Sequence, residues 1–453
     1  MDIFEFSNED SDETPGIVID NGTDTMKLGF VGDDAPRCVF PTVVGRVENL
    51  TRFLLELQPK TLFVGEDALS KKGRRTIYCP IKRGIIEEWD NMVEVWEHSF
   101  KNEIRVYPSE HPILMTESLD NPKANREKTC QILFETFKVP SFYLVPQQVL
   151  QLCTYGMTSG CLINLGITSN CCCILDSKIM KNSCLRCSVE AGGITELLKE
   201  LLAMRGYQFT TRLELDYLKD LKEKYSYCLT NNIPETISAI ENKSQIREYE
   251  MFNGGCVRFG KERFLAPELF FRSRKQILEM SNLLTNNCKG INSNFQEMER
   301  EKEKEKEKEK EKEKEKEKEK EKENENENEN ENEKEIEKNT RIKSYSTLPK
   351  MIYQSIISIP EEKQKQMFQN IVISGGSSLF EGLQERLQKE VKSFWVENAP
   401  EVKVHAIPER KYATWIGGSI FASLKSMKNK WMTKEEYNEN GSSFVHIKCN
   451  DYL

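Results

Sequence analysis

The chain has 453 residues, of which 38% are hydrophobic and 30% charged, with a net charge of −8. That length suffices for two domains with sizeable cores. Acids and bases are interspersed and the balance is mildly acidic, which excludes the basic footprint of a nucleic-acid binder, and no apolar run approaches the ~18 residues of a membrane helix. The opening stretch, MDIFEFSNEDSDET, is acidic and lacks both a basic leader and a long apolar segment, so it does not read as a signal peptide. The expected location is the cytoplasm or the nucleus.

In chain order, the first organised stretch is residues 15–37. An apolar run, Ile17-Val18-Ile19, leads into Asp20-Asn21-Gly22, and a second run, Met26 to Val31, follows a polar bend. This predicts a strand, a tight turn and a returning strand. The turn holds an acid (Asp20), small or polar residues able to lend backbone amides, and a cation (Lys27). Anion-binding concavities are built from such parts, with a carboxylate holding Mg²⁺ through water. An ordinary β-hairpin uses the same residues, so the motif gains weight only from repetition. Residues 160–175 repeat it: an apolar strand, Asn164, Gly166, a polar bend and an apolar return. Two hairpins of one design suggest two similar halves facing each other across a cleft.

Residues 42–79 read as irregular, with Leu54, Leu55, Leu57, Leu62 and Phe63 scattered among polar residues. Asn121-Pro122 reads as a helix start, Asn as cap and Pro in the first turn. The helix that follows should bury Cys130, Leu133, Phe134 and Phe137 on one face. A strand (SFYLV) and a helix entered at Pro146-Gln147-Gln148 come next. After the second hairpin, residues 191–203 show a Leu197, Leu198, Leu201, Leu202 stripe, with Gly206 as a stop. Residues 370–391 form a strand–loop–helix unit whose Gly375-Gly376 stands where helix amides meet ligands. Alternating strands and helices in two related halves predict an α/β fold.

Residues 301–338 depart from this pattern, running through Glu-Lys, Glu-Asn and Glu-Lys repeats. Almost nothing apolar is available to offset the entropy of ordering, and strict alternation puts like charges at i,i+4, so a solvated, disordered loop is expected. With its flanks the excursion covers about 284–346, which a fold tolerates because closure entropy grows slowly with loop length. The fourteen cysteines read as reduced core thiols rather than a disulfide scaffold. Cys184-x-x-Cys187 has no second pair to complete a zinc site, and the four histidines make no cluster. No metal-ligand or nucleophilic role falls to any of them.

The motifs VIDNGT, GDDAPR, NPKANREK, FETF, RGYQFTT, KEK, SGGSS, PERKYATWIGGSI and VHIKC follow one another in the order of the actin family. By them the chain resembles an actin over nearly its whole length. The resemblance implies an actin-like α/β fold of two similar ribonuclease-H-like domains, in four subdomains, around a nucleotide cleft. Residues 1–154 with 412–453 would form the smaller outer domain, with a mobile subdomain at about 42–79, and residues 155–411 the larger inner one. ATP or ADP with Mg²⁺ is the implied cofactor. Asp20 would hold the cation through water, Asn21, Gly22 and Thr23 would cradle phosphates, and Lys27 would add charge. Gln147 matches the residue that positions the attacking water. Gly192 and the loop Gly375, Gly376, Ser377 would face sugar and base, Asp216, Lys219, Lys222 and Glu223 would flank the nucleoside, and Lys411 would lie beside the base.

The departures from the family pattern matter for activity. Asp24 replaces a phosphate-loop glycine. Where the family's second hairpin has an acidic residue followed by Ser, Gly, Asp and Gly, this chain reads Asn164, Leu165, Gly166, Ile167 and Thr168, and Cys171 replaces a histidine. Asn164 cannot neutralise a cation or draw a proton from water, so hydrolysis should be slow or absent while binding survives. The leading reading is a divergent actin-like cytoskeletal protein acting through protein–protein contacts, with actin, actin-binding proteins or actin-related proteins as partners. One alternative is a polymerising actin ATPase. The other is a nuclear actin-related subunit of a chromatin-remodelling complex. Arg272, Arg274 and Lys275 stand at or beside the place where actins carry an apolar plug, and a solvated charged face there weighs against free self-assembly.

Overall fold

The computed structural model describes residues 14–47, 61–70, 75–210, 212–230, 246–250, 255–286, 344–345, 347–395, 400–427, 429–450 and 452. The leucines at 54, 55 and 57 and the Glu-Lys tract lie outside the described residues. The chain divides into two compact units. The first comprises Met1–Ala191, Pro349–Leu379 and Leu387–Leu453; the second comprises Gly192–Leu348 and Phe380–Arg386. The expected boundary at 154/155 falls inside the first unit.

The first unit is built on two mixed sheets. In the first sheet, β1 (Ile17–Asn21) pairs antiparallel with β2 (Thr25–Phe30), and β2 with β3 (Cys38–Pro41). On its other side β1 runs parallel to β4 (Ile113–Glu117), and β4 to β5 (Ser141–Pro146). The second sheet repeats the scheme. There β6 (Gly160–Leu165) pairs antiparallel with β7 (Ser169–Leu175), which pairs with β8 (Leu185–Cys187). On its other side β6 runs parallel to β9 (Ile371–Ser374), and β9 to β10 (Val404–His405). Parallel strands need crossover connections: helix α1 (Lys123–Glu135) supplies the one from β4 to β5, while helix α2 (Gln147–Thr154) leads from β5 in the first sheet to β6 in the second. Both hairpins anticipated from the apolar–turn–apolar pattern therefore form, each at the centre of its own sheet.

β1, β4 and β6 are apolar and inaccessible along most of their length, as expected of strands covered on both faces. Cys171, Cys172 and Cys173 are wholly buried in β7, behaving as small hydrophobes. Two sequence expectations need correction. Helix α1 begins at Lys123 with Pro122 as its cap residue, one position later than the Asn121 cap, and no side chain caps it; the Asn121 amide donates to Glu117 Oε2 at 3.0 Å. Phe137 lies beyond the helix end, so only Cys130, Leu133 and Phe134 of the anticipated stripe are buried within it.

Helix α3 (Ala413–Ala422) locks α2 in place. A side-chain carbon on Gly417 would lie 1.8 Å from the Leu150 carbonyl oxygen, and one on Gly418 would lie 2.7 Å from Val18 Cγ1. The two helices therefore approach backbone to backbone. Trp415 Nε1 donates to the Val18 carbonyl at 3.1 Å and Thr154 Oγ1 to the Ala413 carbonyl at 2.6 Å, tying α3 to both β1 and α2. Replacing Gly417 by Ala forces this contact apart. Equilibrium denaturation should show a loss of about 1–3 kcal/mol or more, and an unchanged midpoint would contradict the close packing.

In the second unit, the helices Ala191–Ala203 and Arg212–Tyr225 precede an antiparallel pair, Arg247–Glu250 with Cys256–Phe259. Leu197, Leu198, Leu201 and Leu202 are buried as the leucine stripe anticipated, and Gly206 takes a left-handed φ of 90° after the first helix. Arg272 does not belong to a solvated charged face. It is 7% exposed and lies 3.4 Å from Glu268 Oε2, one helical turn back. Arg274 and Lys275 are the exposed charges of that stretch, Arg274 donating to Glu200 at 2.9 Å.

Candidate functional site

The first hairpin turns on one buried ion pair. Register sets Asp20 directly opposite Lys27 on the paired strand, the geometry in which unlike charges stabilise a sheet. Asp20 is 2% exposed and Lys27 9%, and charges so buried persist only when well partnered. Lys27 Nζ donates to Asp20 Oδ2 at 2.7 Å. Thr116 Oγ1 on β4 donates to Oδ1 at 2.9 Å, and Gln147 Nε2, the first residue of α2, donates to the same oxygen at 3.2 Å. A carboxylate has about four acceptor positions, so about one is left for a hydrated cation.

The turn itself is pinned from outside. Trp96 Nε1 donates to Asn21 Oδ1 at 3.1 Å and the Asn21 backbone amide donates to Thr116 Oγ1 at 3.1 Å, so Asn21 is turned into the core and offers its amide to the protein, not to the phosphates expected of it. Thr23 Oγ1 accepts from the Gly84 amide at 2.9 Å, and Thr42 Oγ1 donates to the Gly22 carbonyl at 2.8 Å. A side chain at Gly22 would meet the Thr25 carbonyl oxygen at 2.3 Å, so no other residue fits there. Asp24 is exposed at the tip, and its carbonyl accepts from the Thr42 amide at 3.0 Å.

The second hairpin has the same shape and different chemistry. Gln151, one turn along α2 from Gln147, donates from Nε2 to Asn164 Oδ1 at 3.3 Å and to Thr414 Oγ1 at 2.8 Å. Gln148 Nε2 donates to Asn170 Oδ1 at 3.1 Å. Leu165 is fully buried, and Cys171 is buried with its sulfur 3.5 Å from that of Cys161. Contact with Cys171 and burial together push the Cys161 thiol well above its ordinary range, which suits inert core thiols.

The loop after β9 closes against this hairpin. Gly375 has φ of 92°, and a side chain there would lie 2.6 Å from the Leu165 carbonyl oxygen and 2.9 Å from Asn164 Oδ1. Glycine is required on both counts. Arg410 fastens the loop: its guanidinium donates to the Ser378 carbonyl at 3.1 and 3.2 Å, while its own carbonyl accepts from the Gly375 amide and Ser374 Oγ, both at 3.1 Å. Gly376 has open space where a side chain would stand, and Ser377 follows it, half-buried. Lys411 is exposed, its Nζ 5.8 Å from the centre of the Tyr412 ring.

The remaining sequence candidates lie in the second unit. Gly192 opens onto free space at the start of its helix. Lys222 is 5% exposed and donates to Thr195 Oγ1 at 3.0 Å, next to that helix start. Asp216 and Glu223 are exposed and Lys219 half-buried on the same helix as Lys222. The first unit thus brings Asp20, Lys27 and Gln147 together and sets Gly375 against Asn164, with Lys411 exposed beside Tyr412, and the second brings Lys222 to the helix that Gly192 opens.

Gln148 and Gln151 were not singled out from the sequence. Their signal is three amides, at 147, 148 and 151, in an otherwise apolar helix. Both leave a carbonyl oxygen buried without a hydrogen bond among the described residues, at a typical cost of about 1–3 kcal/mol each. A purely structural helix would have little reason to carry them.

Those of the first unit fit a nucleotide's phosphates: a cation at Lys27, a glycine turn that lets backbone approach, and the open space at Gly376. They fit a divalent cation less fully. Asp20 is nearly saturated, and the described residues hold no group of three or more His, Cys, Asp or Glu side chains placed to bind a metal ion. Removing Lys27 (Lys27→Met) leaves the Asp20 carboxylate buried without its cation. Chemical denaturation should then register a loss of about 3–5 kcal/mol, with Lys27→Arg losing less. A near-neutral Lys27→Met would show the pair to be dispensable.

The described residues contain no helix long and apolar enough to cross a membrane. The family model for actin matches residues 11–450, a span that includes both hairpins, the glutamine-bearing helix and the Gly375 loop. Two like sheets, each centred on a hairpin with a parallel strand beside it, form an α/β, actin-like fold, and the chain belongs to the actin family.

Proposed function

We propose that this actin-family chain is a nucleotide-binding scaffold of the cytoskeleton, located in the cytoplasm, which acts through protein–protein contacts and hydrolyses ATP slowly or not at all. One observation carries the reading: the two hairpins are alike in backbone and unlike in chemistry. The first keeps a buried acid tied to Lys27 and Gln147. The second presents Asn164 in the corresponding place, anchored by Gln151.

Hydrolysis requires water to attack the terminal phosphorus, the bond to the leaving ADP oxygen to break, and a proton to leave the water. Gln147 can orient a water but cannot take its proton, because an amide is not a base. Asp20 already accepts three hydrogen bonds, including one from a cation. Neither Asn164 nor its neighbours Leu165, Ile167 and Cys171 supply a base. Binding needs less: the backbone amide of Thr23, the charge of Lys27 and the open space at Gly376. A bound Mg²⁺ would screen phosphate charge, with Asp20 as its carboxylate. The partners are actin, actin-binding proteins or other actin-related proteins. The exposed charges of Arg274 and Lys275 support a role without free self-assembly.

The test is equilibrium binding of a fluorescent ATP analogue, then single-turnover hydrolysis beside conventional actin. Binding with a rate at least ~100-fold below actin is expected, since one positioned group of this kind is typically worth about that much. Turnover at the rate of actin would overturn the reading in favour of a polymerising ATPase. Absence of nucleotide binding would leave a purely structural scaffold.

A further inference from the structure

Tyr155 caps α2 at its C-terminal end. Gln147, Gln151 and Tyr155 stand four residues apart on one face of that helix, so the face that meets Asp20 at its start ends in a phenol. The Tyr155 hydroxyl donates to the Ile373 carbonyl of β9 at 2.8 Å and accepts from the Ile407 amide at 3.2 Å. Burial pushes the phenol pKa up, against the opposing pull of the Ile407 amide and of Arg410, so the hydroxyl keeps the proton it donates.

The hydroxyl occupies a defined place in the sheet. β9 sets Ile371 opposite Val404 and Val372 opposite His405 on β10, and the Ile371 amide donates to the Lys403 carbonyl at 3.1 Å. Continued by two residues on each strand, that parallel ladder would join the Ile407 amide directly to the Ile373 carbonyl. The Tyr155 hydroxyl stands between those two groups, satisfying both and holding Ile407 one hydroxyl away from β9. Arg410 is anchored to the same residue, its Nη1 donating to the Ile407 carbonyl at 2.7 Å. Arg410 in turn bonds Ser374 and Gly375 through its carbonyl and Ser378 through its guanidinium. Gly375 and Ser378 bracket the open space at Gly376. A continuous set of hydrogen bonds thus runs from Tyr155 to that opening.

We propose that Tyr155 is a positioning residue for nucleotide binding: its hydroxyl, wedged between β9 and Ile407, sets the Arg410 segment and through it the loop that opens at Gly376. The inference rests on the nucleotide-binding reading above and adds a residue that tunes the site without touching the ligand. Without the hydroxyl, the Ile407 amide and Ile373 carbonyl either close on each other or lose their partner. In both cases Ile407 shifts, and Arg410 with it.

Binding of a fluorescent ATP analogue to the full chain with Mg²⁺, alongside thermal melts, tests it. Tyr155→Phe keeps the ring and removes only the hydroxyl. It should bind about 5- to 10-fold more weakly, the scale of one neutral hydrogen bond. Arg410→Met should also weaken binding. Because Tyr155 acts through Arg410, the double variant should bind no more weakly than Arg410→Met alone, and affinities that simply add would contradict the relay. Full affinity in a folded Tyr155→Phe would overturn the proposal even if its melting temperature falls, since the hydroxyl would then serve the fold alone. That variant decides the matter even where Arg410→Met does not fold. Failure of the unmodified chain to bind would overturn the nucleotide reading and this inference together.

Discussion

The close crossing of α2 and α3 governs the rest of the first unit. Gly417 and Gly418 bring α3 against the backbone of α2 and the side chain of Val18, leaving α2 no freedom to slide. Because α2 cannot slide, Gln147 and Gln151 arrive at fixed depth, one at Asp20 and the other at Asn164. Neither hairpin turn is self-supporting. Asp20 needs Lys27, Thr116 and Gln147 to remain charged in a buried place, and Asn164 needs Gln151 to hold one orientation. Two turns in separate sheets are thus coupled through one eight-residue helix, by packing at the helix and by hydrogen bonds from its first and fifth residues.

On the proposed reading, that coupling lets a nucleotide site keep its shape while losing its chemistry. Shape depends on glycines that nothing else can replace: Gly22 against the Thr25 carbonyl, and Gly375 against Leu165. Chemistry depends on side chains at the turn, which substitution can change without disturbing the backbone. Asn164 is nearly isosteric with an acid and lies in the same register, so the sheet does not register the change. A proton acceptor is lost and a donor gained. The proposed reading puts the cost on catalysis and not on folding.

Much of this was legible in the sequence because it is local. Each hairpin shows in its apolar–turn–apolar pattern, the Leu197 to Leu202 stripe in its spacing, and the three cysteines of β7 in their place on an apolar strand. What was not legible depends on partners far away in sequence. Gln151 draws its meaning from Asn164 and from Thr414, more than 250 residues on, and periodicity alone marks it as an ordinary polar position. Helix α1 starts one residue past the expected Asn121 cap, and the Asn121 amide is held by Glu117 on the preceding strand. Arg272 was misread as surface charge although Glu268, one turn away, announced a buried pair. Local rules assume solvent as the default partner, and each error arose where a protein group took solvent's place.

The central claim is that this chain keeps a nucleotide site that supplies no base for hydrolysis. A crystal structure of the chain grown with ATP and Mg²⁺ tests it most directly. The account predicts intact ATP with its phosphates at Lys27 and the Thr23 amide. ADP in that place would contradict it.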